Sequence, residues 1–425
     1  MTDPDTSPIS HWDHSGAEPD HSAPLDGDTA CDLCIVGGGY TGLSTALHGA
    51  ARGLDCHVIE AKGIGHGGSG RNVGLVNAGL WLPPREVRNK LGDTLGTSLV
   101  TTLGEMPSYV FSLIETHQIR CDPRRNGTIH AAHSPRGLAD LTRRASQWQA
   151  LGAPVDLLTP AQTAEMTGTR RFHGGLLDRR AGTINPMGYA RGLARAARGA
   201  GARISTHTDA QRLRRENGHW LVHTDRGTVR ARNVVLATNA YSGTLWPGLE
   251  KLFTTIHFFQ VATEPLGARA DAILKGGQGL WDTAPIMFSL RRDGDGRLII
   301  GSMGAVHGPD GALSRRWARK QLARLFPDLG PVDPGTPWHG RIAMTPDHVF
   351  RMHRLEDGLF APIGYNGRGI TTGTLFGKAL ADLLSGADPD SLPIPVSPPR
   401  PIRARRLQTG FYHAAFAANQ LWKSL

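Results

Sequence analysis

Two residue patterns with chemical meaning share the twelve residues Cys31 to Gly42, CDLCIVGGGYTG. Cys31 and Cys34 have C-x-x-C spacing, which suits a redox dithiol or half of a metal site. Gly37, Gly39 and Gly42 have G-x-G-x-x-G spacing, which suits a loop cradling a dinucleotide pyrophosphate. In such a loop the first glycine allows the tight turn and the second lets backbone approach the phosphates. The third lets a helix pack close to its strand. Tyr40 and Thr41 then fall in a helical first turn, whose N–H groups and partial positive charge favour an anion. Glu60, eighteen residues after Gly42 and followed by Ala61 and Lys62, is placed to accept ribose hydroxyls. A carboxylate there disfavours a 2′-phosphate, and so NADP. On a strand, Cys31 and Cys34 point to opposite faces with Cα atoms roughly 10 Å apart, beyond the ~7 Å a disulfide tolerates. Strand packing is therefore expected of them. HAAH at His130 to His133 has the spacing of a metal pair but no third ligand nearby, so two surface histidines and no metal are expected. Neither a G-x-S-x-G nor an H-E-x-x-H pattern occurs.

The elements needed to hold these residues are legible. CDLCIV reads as a buried strand, YTGLSTALHGAARG as a helix stopping at Gly53, and DCHVIE as a second strand. Together they make a βαβ opening. Ala61 to Asn77, AKGIGHGGSGRNVGLVN, is too glycine-rich for a regular element. Residues 85–154 read as mainly helical. NPMGYARGLARAARGAGARIST reads as helix then strand, and NVVLAT as a buried strand. IMFSLRRDGDGRLIIGS reads as a hairpin turning at Asp293 to Gly296. GYNGRGITTGTLFGKALADLLSG is a glycine loop becoming a helix that closes on Gly386.

Several of these stretches resemble the D-amino-acid-oxidase-like family of FAD-dependent oxidoreductases. They are GYTGLSTALHGA, IGHGGSGRNVG, VVLATNAYSG, TEPLG, DGRLIIGS, the late GYNGRG run and SHWDHS near the start. Within that family the resemblance is to the amine-oxidase branch that includes gamma-glutamylputrescine oxidoreductases. It implies an α/β fold: a Rossmann-like FAD-binding domain with an interleaved, antiparallel-sheet substrate domain of α+β type. It also implies that Ser69, Gly70, Arg71, Asn72 and Gly74 line the FAD, with Leu75 near the ring and Ala210 at the adenine. Ala237 and Thr238 would pass the pyrophosphate. Gly364, Asn366, Gly367, Arg368, Gly369, Ile370 and Thr371 would bring a helix N-terminus to the flavin's pyrimidine edge. A helix N-terminus there suits the anionic reduced flavin. The cysteine that tethers flavin in sarcosine-oxidase-like relatives has no counterpart in WHGRIAMTPD, so noncovalent FAD is expected, with His66 the alternative tether. The carboxylate-binding arginine of amino-acid-oxidising relatives would align with Ile342, beside Arg341. Their oxygen-activating lysine has no counterpart either.

The expected segments are a tail over 1–29, in which Trp12 alone is suited to docking, and a discontinuous FAD-binding domain over 30–84, 155–243 and 336–388. The substrate domain would take 85–154 and 244–335, and a basic C-terminal segment 389–425. The chain has 425 residues, a formal charge of +10 and four cysteines, too few for a disulfide scaffold. Residues 1–30 hold seven acidic residues and no Lys or Arg, which leaves seventeen net positive charges on the rest. Arginine is dispersed along the chain, so nucleic-acid binding is not expected. No apolar run approaches a membrane span, and no secretory signal is read. A cytoplasmic enzyme is expected.

The function that follows is oxidation of the C–N bond of a small amine or N-substituted amino compound. Hydride would pass to flavin N5 and the imine would hydrolyse, with reoxidation by O2 or another acceptor. Pocket candidates are Asn77, Trp81, His257, Phe258, Phe288, Arg291 and Tyr365. The alternatives are an FAD-dependent 2-hydroxy acid or α-amino acid dehydrogenase, and an FAD-containing RNA-modification protein.

Overall fold

The strand Thr29–Val36 runs apolar into Gly37 because it is central and covered on both faces, as parallel strands are. In the computed structural model, which describes residues 9–424, it pairs in parallel with Gly227–Leu236 on one side and Cys56–Ile59 on the other. Leu359–Ile363 and Arg203–Ser205 extend this parallel core outward. Arg351–Glu356 joins Leu359–Ile363 antiparallel and carries the short parallel edge strand Val396–Ser397, and the hairpin Ala210–Glu216/His219–Thr224 adds to Gly227–Leu236. The helices Tyr40–Ala50, Pro186–Gly199 and Gly369–Leu384 carry the buried residues that cover one face. The first and last of these touch closely. A Cβ on Gly377 would lie 2.3 Å from Ser44 Cβ.

A second sheet has the order Trp338–Met344, Thr254–Ala262, Leu298–Met303, Phe288–Arg292, Gly279–Asp282, Thr128–Ala131, Gly175–Asp178, Val155–Leu158. All its pairings are antiparallel except that between Gly279–Asp282 and Thr128–Ala131. The fold is thus the expected α/β arrangement with an interleaved, mainly antiparallel layer. Its borders differ from the expected segments. Val155–Leu158, Gly175–Asp178 and Trp338–Met344 belong to the second sheet, whereas the sequence places 155–243 and 336–388 in the FAD-binding domain. Strand order is a long-range choice that local pattern does not contain. The stretch 85–154, read as mainly helical, also supplies Thr128–Ala131 to that sheet.

The tail expected over 1–29 lies partly outside the described residues, Asp3 and Asp5 included. Its described part is docked rather than extended. Ser10 caps the short helix His11–Ser15 through Asp13. Trp12, 1% exposed, packs edge-on against Trp338 and donates to Asn72 O at 2.9 Å. At the other end, Arg405–Trp422 forms a helix against Thr254–Ala262.

Cys31 and Cys34 break the expected alternation. The N–H groups of Asp32 and Leu33 both donate to Asp55 O, at 3.0 and 3.1 Å, a bulge-like irregularity that costs one step of the pleat. Both cysteines consequently pack on the same side of the sheet, in the cluster with Val36 and Val234, and both are free thiols. A hydrogen bond with Cys31 and burial together push the Cys34 thiol well up.

Candidate cofactor and substrate site

Between the two sheets runs a cavity of about 1310 Å³, larger than the ~300–1,000 Å³ of ordinary small-molecule pockets. At one end lie Gly37, Gly39, Tyr40, Thr41, Glu60, Ala61, Lys62, Ala210, Ala237 and Thr238. Gly37 sits at φ +112°, and a Cβ on Gly42 would lie 2.0 Å from Gly37 O. The strand-to-helix turn therefore requires glycine at both positions. Glu60 accepts from Gly38 N at 2.7 Å with one oxygen and from Lys62 N at 2.9 Å with the other. Each oxygen keeps a lone pair for a further donor. Burial raises the Glu60 pKa against the pull of those two N–H groups.

The glycine-rich segment after the second strand is held by its own side chains. Ser69 Oγ accepts from Tyr40 N at 3.1 Å, next to the helix N-terminus. Asn72 donates to Gly68 O and Ser69 O and accepts from Gly74 N at 2.8 Å, folding the segment round its amide. Ser69, Asn72 and Leu75 line the cavity. Gly70 and Arg71 are buried behind the lining. Arg71 Nε donates to His66 O, and Trp338 donates to Arg71 O. Gly74 lies against Arg291, whose guanidinium donates to Ile184 O. Gly42, Gly364 and Thr371 likewise stand behind the surface rather than on it.

At the far end the N-terminus of Gly369–Leu384 is exposed to the cavity, which Asn366, Gly367, Arg368, Gly369 and Ile370 line. Asn366 accepts from Thr345 N at 2.8 Å and donates to Gly364 O at 2.6 Å, fixing the loop. Asn77, Trp81, Phe258 and Tyr365 line this end as well. Tyr365 bonds Thr41 through its hydroxyl, and burial raises its pKa.

Three pocket candidates stand elsewhere. His257 faces the opposite side of its strand from Ile256 and Phe258, against His339 and His413. Burial and those neighbours push it down to about 3. Phe288 stacks on Phe172 in the second core, while Met287 and Ser289 face the cavity. Arg291 is fully buried 5.3 Å above the Trp12 ring, as a buttress under Gly74. For Phe288 the hairpin is legible in the sequence and the facing of its strand is not.

The cavity also has walls that sequence reading missed: Ile256, Gln260, Trp281, Met303, Arg144, and Tyr412 and Phe416 from the C-terminal helix. Alternation about Phe258 was the available signal for Ile256 and Gln260, whereas Trp281 and the C-terminal helix arrive by long-range packing. His130 is not on the surface as expected. It is buried and stacked on Trp281 with ring centroids 3.4 Å apart. Among the described residues no group of three metal-ligating side chains forms, and no helix is long and apolar enough to cross a membrane.

Residues 32–383 match the model of the DAO family, FAD dependent oxidoreductase. The chain is 32% identical over 373 residues to gamma-glutamylputrescine oxidoreductase of Escherichia coli K12, covering 85% of both chains. It is 25% identical to glycine oxidase of Geobacillus kaustophilus over 83% of this chain and 92% of that one. The crystal structure of glycine oxidase from G. kaustophilus superposes with a TM-score of 0.69 at 22% identity, over 84% of this chain and 95% of that one. L-proline dehydrogenase from P. horikoshii gives 0.69 at 20% identity, over 87% and 96%.

Proposed function

Because the chain belongs to the DAO family of FAD-dependent oxidoreductases, we propose that it oxidises the C–N bond of a small amine or N-substituted amino compound. The observation that carries this reading is the continuity of one cavity from the Gly37–Glu60 end to the aromatic end at Trp81 and Tyr365. The donor set fits FAD. Two glycines that tolerate no side chain would bring the Tyr40 helix up to the pyrophosphate, and Glu60 keeps lone pairs that would serve the ribose. Ala210 would meet the adenine, and Ser69 and Asn72 shape the wall. When bound, the flavin supplies a two-electron acceptor for a hydride from the substrate's α-carbon.

The chain's own residues bind, orient and dry the substrate. Phe258, Tyr365, Trp81 and Trp281 exclude water, which favours the neutral amine needed for hydride loss. As the C–H bond breaks and the nitrogen gives up its proton, an imine forms. Water then converts the imine to a carbonyl compound and an amine or ammonia. The electrons pass on to O2 or another acceptor. FAD is held noncovalently in this reading: none of the four cysteines lines the cavity, and the alternative tether is His66, which does.

The test is the visible spectrum of the purified protein before and after denaturation, followed by anaerobic addition of amines. Two flavin bands that leave with the supernatant and bleach with an amine are expected. A colourless protein, or a flavin reduced by 2-hydroxy acids and by no amine, overturns the reading.

A further inference from the structure

The C-terminal helix Arg405–Trp422 is seated on the body along one face. Arg405 Nε donates to Phe253 O at 2.8 Å, Gln420 donates to Ser314 Oγ at 2.8 Å, and Phe416 is buried. The opposite face is nevertheless apolar. Among the described residues eight large hydrophobic side chains are exposed, and five of them, Leu407, Phe411, Tyr412, Leu421 and Trp422, stand on this one helix. Phe411 is 70% exposed and Trp422 73%. Scattered apolar side chains on a surface need no explanation, whereas a contiguous set marks a contact surface. The helix lies outside residues 32–383, which match the family, so the family's shared architecture does not account for this face.

The spacing along the face is that of a helix–helix seam. Leu407, Phe411, Ala414, Ala418 and Leu421 follow one another at intervals of four, three, four and three residues, the repeat that keeps one stripe of a helix against another helix. At about 100° per residue, Phe411 and Trp422 fall on one flank of the stripe and Gly410 and Leu421 on the other. Ala414 and Ala418 lie in its middle, and both are exposed. Gly410 is exposed too, and a Cβ on it would meet nothing within 4 Å. A glycine inside a helix weakens it relative to alanine, and no contact within this chain calls for one there.

We propose that this helix pairs antiparallel with its counterpart in a second copy of the chain, making a two-fold dimer centred at the level of Phe416. The pairing sets Phe411 against the partner's Trp422 on one flank and Leu421 over the partner's Gly410 on the other. The symmetry makes each contact twice. Ala414 and Ala418 let the two backbones approach at the centre. Arg403 and Arg406, both exposed, come beside the C-terminal end of the partner's helix, whose partial negative charge favours them. A lipid surface fits this face less well. No Lys or Arg occurs from Leu407 to Trp422, whereas helices lying in a membrane interface carry them along the polar face, and lipid gives no reason for Gly410. A single helix pair is at the small end of specific interfaces, so the dimer should dissociate on dilution to the low micromolar range.

The test is sedimentation of the purified full chain from about 1 to 100 µM, a range that brackets a micromolar dimer. The mass should rise from 45.7 kDa toward twice that value; a monomer throughout overturns the proposal. Ala418→Glu puts an unpaired carboxylate into the apolar seam of both copies and should weaken the dimer at least about a hundredfold. Gly410→Leu adds apolar area but fills the space that receives Leu421, so association should weaken at least about tenfold while the Tm of the monomer holds or rises. Both positions are exposed, so the fold is kept. A dimer as tight as the wild type in either variant overturns the proposal, because the contact then lies elsewhere or is unspecific. Flotation with phosphatidylglycerol vesicles is run alongside. A wild-type chain that floats with the vesicles and stays monomeric at every concentration gives the face to lipid and overturns the dimer.

Discussion

Glu60 shows how a single residue is committed by its surroundings. Its two oxygens each take one backbone N–H, from Gly38 and Lys62, and so fix the carboxylate where the glycine loop ends. Hydrogen bonds to a charged group contribute about 1.5–3 kcal/mol each. Glu60→Ala removes the loop's two bonds and the acceptor proposed for a ribose. FAD affinity in that variant is expected to fall at least about tenfold, measured by flavin release on dilution; unchanged affinity would remove Glu60 from the site. The cysteines make the opposite point. Cys31 and Cys34 share one face because of an irregularity at Asp32 and Leu33, which the C-x-x-C spacing alone does not encode.

At the level of elements, a few contacts decide whether the site exists. The Tyr40–Ala50 helix reaches the cavity, at the end proposed for the phosphates, only because Gly42 lets it sit against Gly37. Gly42→Ala places a Cβ 2.0 Å from a carbonyl oxygen, and such overpacking costs typically ~1–3 kcal/mol. The variant should purify with less flavin, seen as a lower ratio of visible to ultraviolet absorbance; full occupancy would show that the helix can shift. The short His11–Ser15 helix acts on the other wall. Trp12 bonds Asn72 O, Ser10 reaches Gly70 O at 3.3 Å, and His11 meets Asp293 at 2.9 Å. Trp12→Ala is expected to lose about 3–5 kcal/mol and to loosen the segment built on Asn72. Its urea midpoint should fall and its flavin should dissociate faster. A variant with wild-type flavin retention would mean that the tail only covers the body.

For the whole molecule, acid sensitivity follows from buried histidines. Burial holds His257 down to about 3 and His57 to about 4, and lowers His130, His48 and His353 too. These groups stay neutral in the fold and take up protons when unfolded below about 6.5. The unfolded state then binds more protons, so stability is complete above that pH and is lost as pH falls toward the folded-state values. Each group adds up to about 1.4 kcal/mol per pH unit. The Tm should therefore drop steadily from pH 6.5 to 4.5, and His257→Gln should make the drop shallower. A Tm flat over that range would contradict the neutral burial of these rings.

The Gly37–Gly42 loop, the βαβ opening, Glu60 and the Asp293 hairpin were legible in the sequence because each is decided within a few residues. Turn geometry, helix starts and strand alternation are local properties of the chain. The resemblance carried by the glycine-rich runs extended that reading to the family and to FAD. Sheet membership was not legible, since Gly175–Asp178 pairs with Thr128–Ala131 and Trp338–Met344 with Thr254–Ala262 across long separations. Nor was facing: one step of parity along their strands sends His257 and Phe288 away from the cavity. The pairing of Arg368 with Trp81 and Trp281 joins three distant segments. Only packing could bring a cation between those indoles, because burial and the company of a charge are properties of the folded volume.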